Sequence, residues 1–278
     1  MNIKRWNIAP LDKDRAAQMA EEYQIPFFLA MLLEIRGLRT REQIQEMLQG
    51  QARRCDPLSF ADMQKAVDRI RKAVDAFEPI AIYGDYDADG VTATALLYSY
   101  LESCGANVMF YIPERELEGY GMNRQAIDQL HAQGIRLIVT VDNGIASVEE
   151  TAYANELGID VVITDHHRPL DTLPDAVAVV DPHRADCPSP FKDFSGVGVA
   201  FQLVAALEGE ESDWESLLDN YADFVAIGTI GDVVPLLGEN RAFVRRGLRL
   251  LSRSDRVGIA ALLQHCALQE KELTATNV

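Results

Sequence analysis

At 278 residues with 48% hydrophobic content, the chain is long enough to bury one large core or two modest ones. It has no run of about 18 or more apolar residues, and its amino terminus, MNIKRWNIAPLDKDR, lacks a secretory hydrophobic region; both facts argue against membrane insertion and secretion, and the expected compartment is the cytoplasm. The formal net charge of -17, from 26 basic and 43 acidic residues, has the wrong sign for a surface that must hold a nucleic acid unaided.

Residues 1–77 read as a helical lead-in packed on the next domain. Pro26 precedes the apolar FFLAMLLEI, which stops at Gly37, and Thr40 with Gln43 forms a capping box before Ile44, Met47 and Leu48. Met63, Ala66, Val67, Ile70 and Val74 recur at helical spacing, with Lys and Arg on an opposite, solvated face. Four scattered cysteines (Cys55, Cys104, Cys187, Cys266) form no CxxC pair, which argues against zinc and disulfides and leaves them as expected buried thiols.

From Pro79 the rhythm becomes strand, helix, strand. Apolar, β-rich runs at 80–83, 108–112, 137–141, 161–164 and 176–180 alternate with helical patterns that end near Gly105, Gly134 and Gly158. The expected fold is α/β, a mainly parallel sheet of about five strands with helices on both faces, preceded and followed by helical segments. After Pro182 helices return: Ser212 with Glu215 signals the start of one that should stop around Gly228 to Gly231, and others cover 240–251 and 257–266. Gln269 to Val278 is polar and reads as a linker.

In a parallel sheet, ligands bind outside the carboxyl ends of the strands. There the first run gives Asp85, Asp87 and Asp89, the third Asp142, the fourth Asp165, His166 and His167, and the fifth Asp181, His183 and Arg184. One aspartate after a strand is ordinarily a cap or turn residue; four strand ends in succession point to a shared cation site. DYDADG imitates the start of an EF-hand loop, but the twelfth position is Leu96 where a glutamate is needed. Asp89, next to Gly90, is expected to cap the following helix or support the site, and Asp165 to orient its neighbours. Gly196 and Gly198 in SGVGVAF are read as close helix packing, not half of a dinucleotide fingerprint. Asp232, among apolar neighbours in AIGTIGDVVPL, is either a metal partner or a cap. Mixed carboxylate and imidazole ligands suit manganese or magnesium, and two such ions would clamp a phosphate, so the expected chemistry is phosphoester hydrolysis.

The order GDYDADG, VDNG, TDHH and DPHR resembles the four motifs of the DHH phosphoesterase superfamily. IPERELEGYGMN, TDHHRPLDTLP, SGVGVAFQL and IGTIGDVVPLLGENR look like the bacterial RecJ single-strand-specific exonucleases, a likeness running from about Trp6 to the end. The resemblance implies that Asp85, Asp87, Asp142, His166 and Asp232 are metal ligands, with His167 beside them in the catalytic site, and that two Mn2+ or Mg2+ ions bind. It implies removal of 5'-terminal nucleotides from single-stranded DNA in recombination and repair, with replication or repair proteins as possible partners. Arg115, Arg168, His183 and Arg184 are candidate phosphate contacts by location. Neither the second-lobe substrate motif nor an oligonucleotide-binding fold of that family is recognisable. The expected division is therefore a lead-in over 1–77, the DHH domain over 78–250, and a helix and linker over 251–278 toward a second lobe, with weak grip on DNA. Two other readings share the sequence: a phosphodiesterase of short oligonucleotides, cyclic dinucleotides or pyrophosphate, and a noncatalytic scaffold.

Overall fold

The computed structural model describes residues 7, 9–49, 54–209 and 213–278, in two compact units, 1–53 and 54–278. In the first, α1 (Lys13–Glu22) starts where the Asp12 carboxylate accepts the Arg15 N–H at 3.0 Å. The helix α2 (Phe27–Ile35) follows Pro26, and α3 (Arg41–Gln49) opens on the expected capping box. Thr40 Oγ1 accepts the Gln43 N–H at 3.2 Å, and Gln43 Oε1 accepts the Thr40 N–H at 3.1 Å. Ala16, Met19, Ala30, Leu33 and Ile44 close its small core.

In the second unit a short 3-10 helix (Pro57–Ser59) leads into α4 (Met63–Asp75). Met63, Ala66, Val67 and Ile70 are buried, as their spacing predicts, but the basic face is not wholly solvated. Arg69 is 8% exposed and pairs with Glu78 at 2.7 Å and Asp160 at 2.6 Å, two carboxylates that make its burial tolerable. Then come β1 (Ile80–Tyr83), α5 (Ala88–Ser103), β2 (Val108–Tyr111), α6 (Arg124–Ala132), β3 (Leu137–Val141), α7 (Val148–Glu156), β4 (Asp160–Thr164) and β5 (Ala178–Val180). Four helices follow: α8 (Gly196–Glu208), α9 (Trp214–Gly231), α10 (Gly238–Leu251) and α11 (Val257–His265). Ser212, the expected cap of α9, lies outside the described residues; the Asp213 carboxylate accepts the Glu215 N–H at 3.1 Å.

All five strands are parallel, in the order β2-β1-β3-β4-β5. Successive strand side chains point to opposite faces. Ile80, Ile82, Leu137, Val139 and Val162 pack against α4, α5 and α8, whereas Ala81, Tyr83, Ile138, Val161 and Ile163 join Ile127, Leu130 and Ala154 of α6 and α7. The α/β class and the doubly covered sheet are thus as expected. Because β1 lies between β2 and β3, the strand order reverses there, and the crevice beyond the carboxyl ends of β1 and β3 is the natural binding position.

Two smaller expectations are corrected. Leu273, in the stretch read as a linker, is 9% exposed and packs with Val244, Leu251 and Ile259. Cys55 and Cys187 are buried, but Cys104 and Cys266 are exposed because each is the residue that closes a helix, α5 and α11 respectively. No helix among the described residues is long and apolar enough to cross a membrane.

Candidate metal centre

The chain leaves β1 through Asp85, which is 3% exposed, and turns into α5 at Asp87. Asp87 Oδ1 accepts the N–H groups of Asp89 (2.9 Å) and Gly90 (3.0 Å), so Asp87, not Asp89, caps α5. Asp89 instead reaches α8. Its two oxygens accept the N–H groups of Gly196 at 2.6 Å and Val197 at 2.9 Å, where the positive end of a helix suits a carboxylate.

Beyond β3, Asp142 adopts φ +62°, a left-handed conformation costly for a residue with a side chain. Its neighbour Asn143 is fully buried, with Nδ2 donating to the carbonyls of Tyr83 at 3.1 Å and Val141 at 2.9 Å, which locks the ends of β1 and β3 together. Gly196 closes over the Asp142 carboxylate: a Cβ there would sit 2.4 Å from Asp142 Oδ1. Close helix packing, expected for SGVGVAF, is what positions this carboxylate. Gly196→Ala should therefore displace Asp142 and weaken Mn2+ binding, measured by isothermal titration, by about 10- to 100-fold; unchanged affinity would exclude that role for the contact.

After β4, Asp165 is fully buried and accepts from the N–H groups of Ile145 (2.9 Å), His166 (2.7 Å) and His167 (3.1 Å) and from His167 Nδ1 (2.8 Å). The carboxylate thus contacts the backbone of both histidines and the ring of His167. His183 Nδ1 lies 2.6 Å from the His166 carbonyl and so fixes the backbone of the histidine pair from behind.

These elements bring three sets of ligand atoms together. Asp85, Asp87 and Asp142 form one, Asp142, His166 and His167 a second, and Asp89, His166 and Asp232 a third, each with its atoms within 4.8 Å of one another. Asp142 and His166 are shared, so the sets form one continuous cluster. His166 Nε2 lies 3.1 Å from Asp142 Oδ1, 3.7 Å from Asp232 Oδ2 and 3.8 Å from Asp89 Oδ2. Yet His166 Nε2, Asp142 Oδ1 and Asp85 Oδ1 are buried without an aligned hydrogen-bond partner. Orphaned acceptors at this density are costly unless a cation faces them. The oxygen-rich donor set with imidazole fits Mn2+ or Mg2+.

The electrostatics agree. Burial, reinforced by Asp165 and Asp87, pushes Asp142 up to about 9. Burial also raises Asp85, with Asp87 adding to it, and lifts Asp89 well above the ordinary range, with Asp142 adding repulsion. Asp232 terminates α9, the unfavourable end for an anion, and burial raises it despite the pull of His166 and His167. Asp165 alone moves the other way: burial would raise it, but the hydrogen bond and charge of His167 and the N–H groups of Ile145 and His167 hold it below the usual range. The reciprocal hydrogen bond raises His167 to about 9 against its own partial burial.

The remaining candidates divide. The Arg115 guanidinium lies 5.2 Å from the Tyr86 ring centre, next to the β1 carboxylates, and Arg168 is exposed beside His167. Arg184 is 8% exposed, with Nη1 on Asp62 (2.7 Å) and Nε and Nη2 on Asp186 (2.9 and 2.7 Å); its charge is spent inside the fold, not offered to phosphate. Tyr120 was not legible as a site residue, although its hydroxyl lies 3.2 Å from His167 Nδ1 and 3.2 Å from the Asp142 carbonyl.

The model of the DHH family, N-terminal domain, matches residues 79–229. The single-stranded-DNA-specific exonuclease RecJ of Bacillus subtilis is 46% identical over 261 residues, covering 94% of this chain and 32% of that protein. RecJ of Escherichia coli is 37% identical over 276 residues, 95% of this chain and 47% of that protein. The chain thus spans about a third to a half of the length of these curated relatives. Among solved structures, RecJ from Thermus thermophilus in complex with Mn2+ superposes with a TM-score of 0.73 at 30% identity, over 93% of this chain and 36% of that one. Exonuclease RecJ bound to manganese gives 0.67 at 36% identity, over 78% and 54%. Since the family match takes in all five strands and every cluster residue except Asp232, which follows three positions later, the chain belongs to the DHH family.

Proposed function

We propose that residues 78–250 carry the catalytic centre of a metal-dependent 5' to 3' exonuclease of single-stranded DNA, acting in recombination and repair in the cytoplasm. The observation that carries this reading is the continuous cluster of five aspartates and two histidines, in which Asp85 Oδ1, Asp142 Oδ1 and His166 Nε2 are buried without an aligned hydrogen-bond partner. Identity of 46% to a single-stranded-DNA-specific exonuclease supports the substrate class. Asp85, Asp87, Asp142, His166 and Asp232 would hold two Mn2+ or Mg2+ ions, with Asp89 sharing the His166 end. Bound there, such ions polarise a phosphate, favour ionisation of water and stabilise both reacting oxygens.

The chain's own residues then have separable tasks. Asp165 orients the histidine pair, and His167, 46% exposed, faces the substrate side, where its imidazolium gives a proton to the leaving oxygen as the P–O bond breaks. Arg115 and Arg168 contact phosphate oxygens. The acidic balance of -17 favours a second reading, in which the same centre cleaves short oligonucleotides or other small phosphodiesters that need no basic channel.

Hydrolysis of 5'-labelled and 3'-labelled single strands with Mn2+, beside a dinucleotide, separates the two. Mononucleotide release from the 5' end of a long strand is expected. Turnover of the dinucleotide alone would establish the second reading, and no turnover of any substrate would remove both.

A further inference from the structure

We propose that Tyr120 is a positioning residue that fixes the ring of His167, an inference that rests on the hydrolytic reading above. The hydroxyl occupies a place with only one consistent proton arrangement. Asp165 Oδ1 already accepts the N–H groups of His166 (2.7 Å) and His167 (3.1 Å) and Oδ2 that of Ile145 (2.9 Å), so the carboxylate acts as an acceptor throughout and His167 Nδ1, 2.8 Å from Oδ1, supplies the proton between them. Tyr120 Oη, 3.2 Å from the same Nδ1, can then only accept from it, and its own hydrogen goes to the Asp142 carbonyl at 3.2 Å. The phenol therefore links the backbone of a residue in the metal cluster to the ring that faces the substrate. Asp165 defines the tautomer; Tyr120 shares the same Nδ1 hydrogen and adds a second contact to the ring, with its own ring set edge-on at 5.7 Å.

The loop that delivers Tyr120 is built for the purpose. Gly119 and Gly121 flank it at φ +79° and +81°, conformations that turn the chain sharply on both sides of the tyrosine. The loop is pinned at its base: Tyr83 Oη donates to the Gly121 carbonyl at 3.2 Å, and Glu118 accepts from the Tyr111 hydroxyl and, at 2.7 Å, from the Glu114 N–H. Asn123 Nδ2 reaches Tyr83 Oη at 3.2 Å. None of these bonds needs the Tyr120 hydroxyl, yet together they hold a ring that is 51% exposed against the metal cluster. Burial does not explain such a residue; its two polar contacts do.

The test compares Tyr120→Phe and Tyr120→Ala with the unaltered protein. In Mn2+, with a short single-stranded oligonucleotide, Tyr120→Phe should lower kcat by about 10- to 100-fold with KM within about twofold, since the ring remains and only the brace is lost. Tyr120→Ala should lower kcat at least as far. Independently of activity, nitrogen NMR of imidazole-labelled protein in Mg2+ should show the His167 ring nitrogens moved in Tyr120→Phe while those of His131, outside the site, stay in place. An unchanged kcat or an unchanged His167 signal in Tyr120→Phe overturns the proposal. If the unaltered protein hydrolyses nothing but the His167 signal still moves, the hydrolytic reading fails and the bracing contact stands.

Discussion

Asp142→Asn is expected to abolish hydrolysis and, at the same time, to raise the melting temperature of the metal-free protein. Asp142 belongs to two of the three ligand sets, so its loss as an anionic ligand severs the β1 carboxylates from His166. A fall in kcat of at least about a thousandfold, roughly 4 kcal/mol of barrier, is the expected size. The opposite sign for stability follows from burial. At neutral pH the folded protein must keep a proton on Asp142, whose carboxyl is pushed up to about 9, while the unfolded chain releases it. Asparagine has the same shape and needs no proton. A gain of even ~1 kcal/mol would register as a rise of roughly 2–4 °C in a chain of this size. Calorimetry in chelator and a single-turnover assay in Mn2+ decide it together: retention of a tenth of the activity, or a lower melting temperature, would contradict the assignment.

Stability of the metal-free protein should fall as pH rises between about 4 and 9, the reverse of the usual behaviour of carboxylate pairs. Asp142 is raised to about 9, Asp181 to about 7 and His167 to about 9, and Asp85, Asp89 and Asp232 move upward as well. In that window the native state binds more protons than the unfolded chain, so the stabilisation present at low pH is lost as these groups ionise. Asp165 and five other carboxylates (Glu42, Asp62, Glu118, Asp186 and Asp213) are lowered and work in the opposite sense, but their contribution is lost mainly below about pH 4, outside this window. Bound Mn2+ replaces these protons, so metal affinity should increase with pH and binding should release protons. In chelator the protein should melt higher near about pH 6 than near about pH 8. Saturating Mn2+ should shrink or invert the difference, and Asp142→Asn should flatten it without metal. A chelated melting temperature that climbs across the same interval would falsify the account.

Much of the centre was legible along the chain because parallel sheets put function at strand ends, and strand ends are local signals. The runs IAIY, LIVTV and VVIT announced β1, β3 and β4, and the residues following each of them entered the cluster. The capping box at Thr40 and Gln43 was equally local and formed as read. Asp232 was not resolved by its neighbours: only the end of α9 beside His166 shows a carboxylate at the wrong pole of a helix.

The residues by themselves therefore determined the α/β alternation, the strand-end placement of Asp85, Asp87, Asp142 and His166, and the cation that such repulsion demands. Tertiary structure alone decided which aspartate caps α5, because the partner of Asp89 lies 107 residues away at Gly196. In the same way it turned Arg69 toward Asp160, spent Arg184 on Asp62 and put Leu273 in a core. Tyr120 belongs with these. Periodicity reports which face of an element is apolar, but the partner of a buried charge or a bracing hydroxyl depends on how distant elements cross, and no local pattern carries that information.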